Sequence, residues 1–208
     1  MNYTMAASVV LLAALLAGCG DNAVSGPEMT QDFFPMEAGD WWAYDYCAVR
    51  TQPDSMLWEE GSETLQVLAV AGDTCTVERT FSTWYWLGSA QPDTMSTLDT
   101  LTYVVNSDSV LILTSDSTSV KYLDYPLEEG KTWDDYEVLD MDGSVTVPGG
   151  TFTGCAVIST WSDTYGTDIM FYYASGTGLV TRYADGATPW GQDHVDIHFD
   201  LSGSSYGQ

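Results

Sequence analysis

The sequence predicts an all-β protein built on an antiparallel, curved sheet that closes into a half-barrel or barrel, with a sandwich as the alternative. Three observations lead to this prediction. Strand-forming aromatic residues are abundant, including 8 Trp and 13 Tyr. No amphipathic pattern of helical period is sustained after the first apolar run. Short apolar runs are joined by Gly and Asp pairs typical of hairpin turns, so neighbouring strands should pair antiparallel.

Strands are predicted where β-branched and aromatic residues lie between polar connectors that contain glycine. These strands cover residues 41–50, 63–70, 74–87, 100–106, 110–115, 119–124, 136–140, 144–147, 155–162, 169–174, 180–184 and 194–201. Hairpin turns are expected where glycine supplies the positive φ that such turns favour. They are Gly72-Asp73, Asp142-Gly143 and Asp185-Gly186. Residues 88–99 form the longest predicted loop.

The last predicted strand alternates between polar and apolar residues, so its two faces differ in chemistry. The polar face carries His194, Asp196, His198 and Asp200, and the apolar face carries Val195, Ile197, Phe199 and Leu201. Side chains two positions apart on a strand are about 7 Å apart, so a neighbouring pair could share a metal ion with another strand. We therefore treat the four polar residues as a candidate metal site. The alternative is the solvent-facing side of a half-exposed strand.

The N-terminus has the pattern of a bacterial lipoprotein signal. Residues 6–17 form an apolar stretch that is too short to span a membrane but suits a secretory signal. The stretch ends in Leu16-Ala17-Gly18-Cys19, which looks like a lipobox. We predict a signal peptide over residues 1–18, lipidation of Cys19 and a flexible tether over 19–32. A single β domain over 33–202 and a flexible tail over 203–208 would follow. The alternative is an ordinary secretory signal in which Cys19 is incidental.

The charge balance excludes some partners. The chain has 5 Lys and Arg against 30 Asp and Glu, which gives a formal net charge of −25. Such a chain repels nucleic acid and anionic membrane surfaces, so the membrane is expected to be reached through the N-terminal lipid alone. Divalent cations, including weakly bound Ca²⁺, are compatible with this charge. Plain solubility on a crowded surface is the alternative explanation.

Three cysteines remain if Cys19 carries lipid. They are Cys47, Cys75 and Cys155, widely separated and without the C-x-x-C spacing of zinc or redox sites. An exported location would permit one disulfide among them. Because all three lie in apolar strand patterns, buried unpaired thiols are an equal alternative.

A short motif occurs twice, with the form P-x3-G-x2-W. The first copy runs from Pro35 to Trp42 and the second from Pro126 to Trp133. Each copy follows an aromatic residue and precedes an aromatic strand. We interpret each as a turn braced by proline, with glycine at a tight corner and a tryptophan that anchors the next strand in the core. The repetition suggests two sheet halves that begin with the same device.

Four segments in order resemble a family of bacterial lipoproteins of unknown function. They are F-F-P-M-x-x-G-x-W-W-x-Y from Phe33, Y-P-L-x-x-G-K-T-W from Tyr125, V-P-G-G-x-F from Val147 and F-Y-Y-A-x-G-x-G-L-V from Phe171. The family opens with YFPL-x-x-G-x-x-W-x-Y and closes with YYA-x-G-V-G-L-V, where this chain has Thr177 in place of valine. The resemblance implies an exported, lipid-anchored β domain, similar in fold to lipocalin barrels or to curved-sheet lipoprotein chaperones. It implies no catalytic residues.

Two further patterns are incomplete forms of functional motifs. Residues 203–207 fit G-x-S-x-G around Ser205, but a nucleophile elbow needs a following helix and downstream partners, and only Gln208 remains. Residues 140–143 (D-M-D-G) resemble the start of a calcium loop without its closing glutamate. A terminal tail and a hairpin turn account for the two segments without further function.

These features predict a lipid-anchored, non-enzymatic domain of the bacterial cell envelope, at the outer membrane or cell surface. Its abundant aromatic residues suggest a hydrophobic or peptide-like ligand, or an accessory role in a surface assembly. No cofactor is expected. The alternative is a purely structural or interaction module, stiffened by Ca²⁺. An envelope hydrolase is disfavoured because no nucleophile has a base placed beside it.

Overall fold

The computed structural model describes residues 32–52, 55–87, 93–114, 118–187 and 194–206. These residues form one antiparallel sheet of twelve strands, which confirms the all-β prediction. The strands are β1 (Trp41–Gln52), β2 (Ser55–Ala71), β3 (Thr74–Leu87), β4 (Asp93–Val105), β5 (Ser109–Leu113), β6 (Ser119–Asp124), β7 (Thr132–Trp133), β8 (Tyr136–Val147), β9 (Gly150–Ser162), β10 (Thr167–Ala174), β11 (Gly178–Ala187) and β12 (His194–Ser204). The predicted signal peptide, Cys19 and all of the tether except Asp32 lie outside the described residues.

The sheet consists of two meanders of six strands. Strands β1–β6 pair in chain order, and so do β7–β12. The two meanders are joined where β1 pairs with β12, which leaves β6 and β7 at the two ends of the sheet. Within the described part of the chain, no helical segment has the length and hydropathy of a membrane span.

The sheet is strongly curved and encloses its aromatic face. Tyr122 on β6 contacts Phe171 and Tyr173 on β10, with ring centroids 6.3 and 6.2 Å apart. These strands are eight steps apart in the sheet order, which would separate them by about 38 Å in a flat sheet. The sheet therefore curls round until its ends approach each other, as in a nearly closed barrel. The sandwich alternative is not adopted.

The predicted turns are right at one position and wrong at two. Ala71 pairs with Thr74, so Gly72-Asp73 does form the β2–β3 turn. The dipeptides at 142–143 and 185–186 lie inside β8 and β11 instead. Gly143 and Gly186 are needed for close strand packing, because an added Cβ would collide with Val157 and Thr167 respectively. Local sequence cannot distinguish this use of glycine from a turn.

Other strand bounds also differ from the prediction. Two predicted strands, 136–140 and 144–147, are one strand, β8, which has register shifts between Val138 and Ser144. The turn that ends β8 is at Pro148-Gly149, between the paired residues Val147 and Gly150. Strand β4 begins at Asp93, inside the loop predicted over 88–99, and residues 88–92 lie outside the described part of the chain. The short strand β7 was not predicted.

The repeated motif forms the same corner twice. In the first copy the amide of Gly39 donates to the carbonyl of Val67 at 2.9 Å, and in the second that of Gly130 donates to Val138 at 2.8 Å. Each valine amide donates back to the residue after the glycine, at 2.8 and 2.9 Å. Both glycines have positive φ, +97° and +80°, which explains why glycine is required there. Each corner starts one of the two meanders.

The C-terminal segment is ordered further than the predicted tail allows. Gly203 and Ser204 belong to β12. Tyr206 stacks on Trp42, with ring centroids 5.8 Å apart, and its hydroxyl donates to the carboxylate of Asp40. This aromatic stacking fixes the chain against the first corner. Residues 207–208 lie outside the described residues.

Candidate functional site

Two cavities lie against the aromatic face of the sheet. The first has a volume of about 270 Å³ and the second about 290 Å³. Both are close to the lower end of the range of small-molecule sites, roughly 300–1,000 Å³. Tyr122 and Arg182 line both cavities, so they form the partition between them. This interior is the candidate site.

The wall at β1 is held by hydrogen bonds between the opening and closing segments of the sequence. The indole N–H of Trp42 donates to the carbonyl of Thr177 at 2.7 Å. The hydroxyl of Tyr44 donates to the carbonyl of Leu179 at 2.9 Å. Both aromatic residues are almost fully buried and line the first cavity. Their polar atoms are therefore satisfied by the wall, and their rings are left to face the cavity.

The chain enters the domain along this cavity. Phe33 and Phe34 are buried, and Phe34 packs against Tyr103 and Tyr122 with ring centroids 5.2 and 5.8 Å apart. Phe34 and Met36 both line the first cavity. The segment that follows the predicted tether is thus part of the cavity wall.

An ionic cluster lies in the first cavity. The carboxylate of Glu63, whose side chain is 6% exposed, accepts a hydrogen bond from Nη2 of Arg182 at 3.1 Å. The other carboxylate oxygen lies 4.0 Å from Nε of Arg79. Arg79 pairs more closely with Asp99, at 2.7 Å. A buried carboxylate is thus shared unequally by two guanidinium groups, which offsets its desolvation.

Arg182 is held in position by the ring of Phe199. Its guanidinium carbon lies 3.8 Å from the ring centroid, a cation–π contact. Burial disfavours its charge, but Glu63 and the surrounding tyrosines outweigh that effect and raise the pKa of Arg182. The side chain keeps 29% exposure, and it borders both cavities. Arg182 is therefore a permanent cation that faces the enclosed space.

The tyrosines around the cavities stay neutral. Burial is the largest cause that raises the pKa of Tyr44, Tyr103 and Tyr173. Burial also raises the pKa of Tyr122, although the positive charge of Arg182 opposes the shift. The hydroxyls of Tyr122 and Tyr173 are hydrogen-bonded to each other. These side chains supply apolar rings and neutral hydroxyls, while Glu63, Arg79 and Arg182 carry the charge.

The second cavity is almost wholly apolar and aromatic. It lies against β10, β11 and β12 and is lined by Tyr122, Tyr165, Ile169, Phe171, Arg182, Tyr183, Ala184, Ile197 and Phe199. Arg182 is the charged member of this set. An apolar group that enters this space would be removed from water, which is favourable by about 25 cal/mol per Å² of apolar surface.

The predicted faces of the last strand are confirmed. Val195, Ile197 and Leu201 are buried, whereas His194 is exposed. The polar residues form separate pairs rather than one cluster. Nε2 of His198 lies 2.8 Å from Oδ1 of Asp196, although their alignment is not that of a hydrogen bond.

The remaining two polar residues of the candidate metal site have other partners. His194 lies 3.3 Å from Asp185, and Asp200 accepts a hydrogen bond from Thr181 at 2.6 Å. In the described part of the chain, no three His, Cys, Asp or Glu side chains lie close enough to hold a metal ion. A metal site on this strand stays a prediction that the geometry does not favour.

The three cysteines are free thiols in the structure. Cys47 is on β1, Cys75 on β3 and Cys155 on β9, and none of these strands pairs with another of the three. Burial raises the pKa of each thiol. The disulfide that an exported location would permit is therefore not formed, and the alternative of unpaired thiols describes them, with Cys75 and Cys155 buried and Cys47 partly buried.

The two incomplete motifs have structural partners. Oγ of Ser205 accepts a hydrogen bond from the amide of Trp41 at 3.1 Å and donates to Asp40 at 3.3 Å. Ser205 thus joins the C-terminal segment to the first corner. In the D-M-D-G segment, the amide of Asp142 donates to the carboxylate of Asp140 at 2.9 Å within the irregular part of β8. The predicted hairpin turn is not formed there.

The ionic cluster was not predicted, although the sequence carries a signal for it. Glu63 is two residues before Leu65 and four before Val67, on the inward phase of β2. Arg182 occupies the same phase of β11 as Val180 and Ala184. A charged residue in an apolar phase indicates a buried partner or a ligand. Which strand supplies the partner depends on the curvature of the sheet, which local sequence does not reveal.

The fold and interior define an all-β, curved-sheet protein with cavities on its enclosed face. The sequence matches no protein-family model. No curated protein is similar to it either.

Solved structures show distant similarities. A candidate lipoprotein from Parabacteroides distasonis ATCC 8503 is 14% identical, with a TM-score of 0.45, and the match covers 84% of this chain and 99% of that one. An exported-protein candidate with a YmcC-like fold from Bacteroides fragilis NCTC 9343 is 11% identical, with a TM-score of 0.47 and the same coverage. A DUF1329 family protein from Desulfovibrio piger ATCC 29098 is 10% identical, with a TM-score of 0.26, over 82% of this chain and 88% of that one. These similarities are too distant to assign a function.

Proposed function

We propose that the protein is a lipid-anchored domain of the bacterial cell envelope that binds the apolar chain of a hydrophobic ligand on its enclosed face. The observation that supports this proposal most is the pair of aromatic cavities separated by Tyr122 and Arg182. A filled core would leave no such spaces. Apolar pockets that remain open in a folded domain are characteristic of ligand sites.

The cavity chemistry favours binding over catalysis. The carboxylate at the first cavity, Glu63, is already paired with Arg182. The tyrosines that line it are neutral near pH 7, because burial raises their pKa. Both histidines of the chain, His194 and His198, lie on the polar face of β12 and line neither cavity. No described residue at the cavities is therefore arranged as a nucleophile with an adjacent base.

We also propose that lipidated Cys19 anchors the domain, at the outer membrane or cell surface. The lipobox pattern supports this proposal. So does the position of Asp32, the last residue of the predicted tether, whose carbonyl accepts a hydrogen bond from the amide of Gly176 at 2.7 Å. Metabolic labelling with an alkyne-bearing palmitate analogue tests it. The wild-type chain should be labelled and membrane-bound, and Cys19→Ala should be neither. Equal labelling of the two would contradict the anchor.

Ligand binding is tested by photolabelling. The full chain is placed in phosphatidylcholine nanodiscs and exposed to a neutral decanol analogue that carries a diazirine. Mass spectrometry then maps the labelled peptides, which we expect to come from the strands that line the cavities. A tryptophan at Leu101, which lines the first cavity on β4, should reduce this labelling at least fivefold. The matched control is Leu98→Trp on the same strand, where the side chain is 68% exposed.

The outcomes separate the two main functions. Loss of labelling in Leu101→Trp and its retention in Leu98→Trp would support a ligand-binding domain. Labelling confined to outer-face peptides, unchanged by Leu101→Trp, would contradict it. That result would leave the structural or interaction module.

A further inference from the structure

We infer that the ligand is a single-chain amphiphile with an anionic head, and that Arg182 binds the head. This inference rests on the proposed function and specifies its ligand class. Carboxylate and phosphate monoester heads share the required chemistry, since both accept several hydrogen bonds from one guanidinium.

The distribution of basic residues supports an anionic head. The chain has only 5 Lys and Arg and a net charge of −25. Two of these five, Arg79 and Arg182, line the first cavity. Solubility does not require basic residues on the enclosed face, and isolated charges there are costly unless they have partners. The lining of the first cavity thus carries two cations against one carboxylate, that of Glu63, while Asp99 pairs with Arg79 from outside the lining. This excess of basic groups at the cavity of an acidic protein favours an anion over a neutral head.

Arg182 has hydrogen-bonding capacity left over for a ligand. Among the described residues, only its Nη2 makes a hydrogen bond, and that bond goes to Glu63. A guanidinium has five N–H donors, so Nε and Nη1 remain to bind a carboxylate or phosphate. The cation–π contact with Phe199 holds the guanidinium in place, which reduces the entropy lost on binding. Arg79 adds a second unused donor, because its Nε is buried without a hydrogen-bond partner.

The position of Arg182 fits a head group with an attached chain. It lies at the border of two cavities that are otherwise mostly aromatic and apolar. A head group bound at Arg182 leaves apolar space on either side. The alkyl chain of the ligand is therefore directed away from the charge and into one of the two cavities. The nearby Glu63 limits the affinity, because it competes with the ligand for the same guanidinium.

Because Glu63 and an anionic ligand would compete for Arg182, competition experiments can distinguish a ligand site from an ion pair that only supports the structure. Decanoate, decyl phosphate and decanol are compared as competitors of the diazirine decanol probe, with the full chain in phosphatidylcholine nanodiscs at pH 7.5. Decanoate, decyl phosphate or both should compete at least tenfold better than decanol. Comparison of the two anions identifies which head the site prefers.

Three variants assign the preference to Arg182. Arg182→Met should abolish the advantage of the anions over decanol, measured as the ratio of their competing concentrations in that variant. Glu63→Gln keeps an oxygen acceptor but removes the competing charge, so it should strengthen competition by the anions about three- to tenfold. Arg50→Met, which removes an exposed cation on β1, is the matched control and should change nothing.

The outcomes distinguish a wrong assignment of the head group from a failure of the proposed function. If decanol competes in every variant and the anions never do better, the cavity binds chains but the assignment of the head group is wrong. If Glu63→Gln weakens binding of the anions, the ion pair supports the wall rather than competing with the ligand, and the inference is also wrong. If no compound competes and no cavity peptide is labelled, the proposed function itself fails.

Discussion

The two copies of the P-x3-G-x2-W corner have the same backbone geometry but lead into strands that differ in length and in position within the sheet. The first corner leads into β1, a strand of twelve residues at the centre of the sheet, paired with both β2 and β12. The second leads into β7, a strand of two residues at one end of the sheet, paired with β8. The corner therefore fixes where a meander begins, while the residues after it decide how far the strand runs.

The tryptophans of the two corners differ in the same way. Trp42 donates its indole N–H to Thr177 and lines the first cavity. Trp133 is also buried, but it stacks on Tyr136 at 5.4 Å and its indole N–H has no hydrogen-bond partner. The first corner thus supports the wall of the first cavity, and the second fills the end of the sheet. Four variant sets test this comparison.

Truncation of the tryptophans should have the largest effect. Trp42→Ala and Trp133→Ala should each lower the free energy of unfolding by about 3–5 kcal/mol, because each removes a large buried ring. Only Trp42→Ala should also weaken labelling by the diazirine decanol probe, since only that ring lines the first cavity. Urea unfolding followed by circular dichroism measures the stability. Loss of labelling in both variants would show that the corners are not functionally distinct.

The corner glycines should behave alike. Gly39→Ala and Gly130→Ala place a Cβ at positive φ, which costs roughly 1–2 kcal/mol. Neither Cβ would meet another atom within 4 Å, so the effect should come from the backbone alone and be equal at both sites. Equal decreases in the urea midpoint are the expected result. A difference greater than about 1 kcal/mol would contradict the equivalence of the two corners.

Removal of the indole N–H from each tryptophan should again distinguish the two corners. Trp42→Phe leaves the carbonyl of Thr177 without its donor, which costs about 1–3 kcal/mol beyond the lost ring area. Trp133→Phe removes a buried donor that has no partner. This gain offsets part of the stability that is lost with the buried ring area. We expect Trp42→Phe to be the more destabilising by at least about 1 kcal/mol in urea unfolding. The reverse order would contradict the different roles of the two rings.

The smallest effect at neutral pH concerns the tyrosine on which Trp133 stacks. Burial raises the pKa of Tyr136 to about 12, from about 10 in an unfolded chain. Between these values the unfolded state loses a proton that the folded state keeps, so stability falls as pH rises. Tyr136→Phe should make this fall shallower by up to about 1.4 kcal/mol per pH unit and change nothing at pH 7. An unchanged slope would show that Tyr136 ionises freely.

Much of the fold was predictable because it depends on local patterns. The alternation of polar and apolar residues correctly predicted the two faces of β12. The repeated motif around Gly39 and Gly130 predicted two equivalent corners. Glycine misled where it permits close strand approach, as at Gly143 and Gly186, because this role depends on the neighbouring strand. The ionic cluster was missed for a related reason. Glu63 and Arg182 are far apart in sequence and meet only because the sheet curls.

Native mass spectrometry of the full chain tests most directly whether the enclosed face holds an apolar ligand. The full chain is expressed in a bacterial host, extracted in a mild detergent and examined beside Leu101→Trp and Leu98→Trp. We predict an organic adduct that survives desalting in the wild-type chain and in Leu98→Trp, and that is absent or at least fivefold reduced in Leu101→Trp. A bare mass for all three chains, or the same adduct in all three, would contradict ligand binding on the enclosed face.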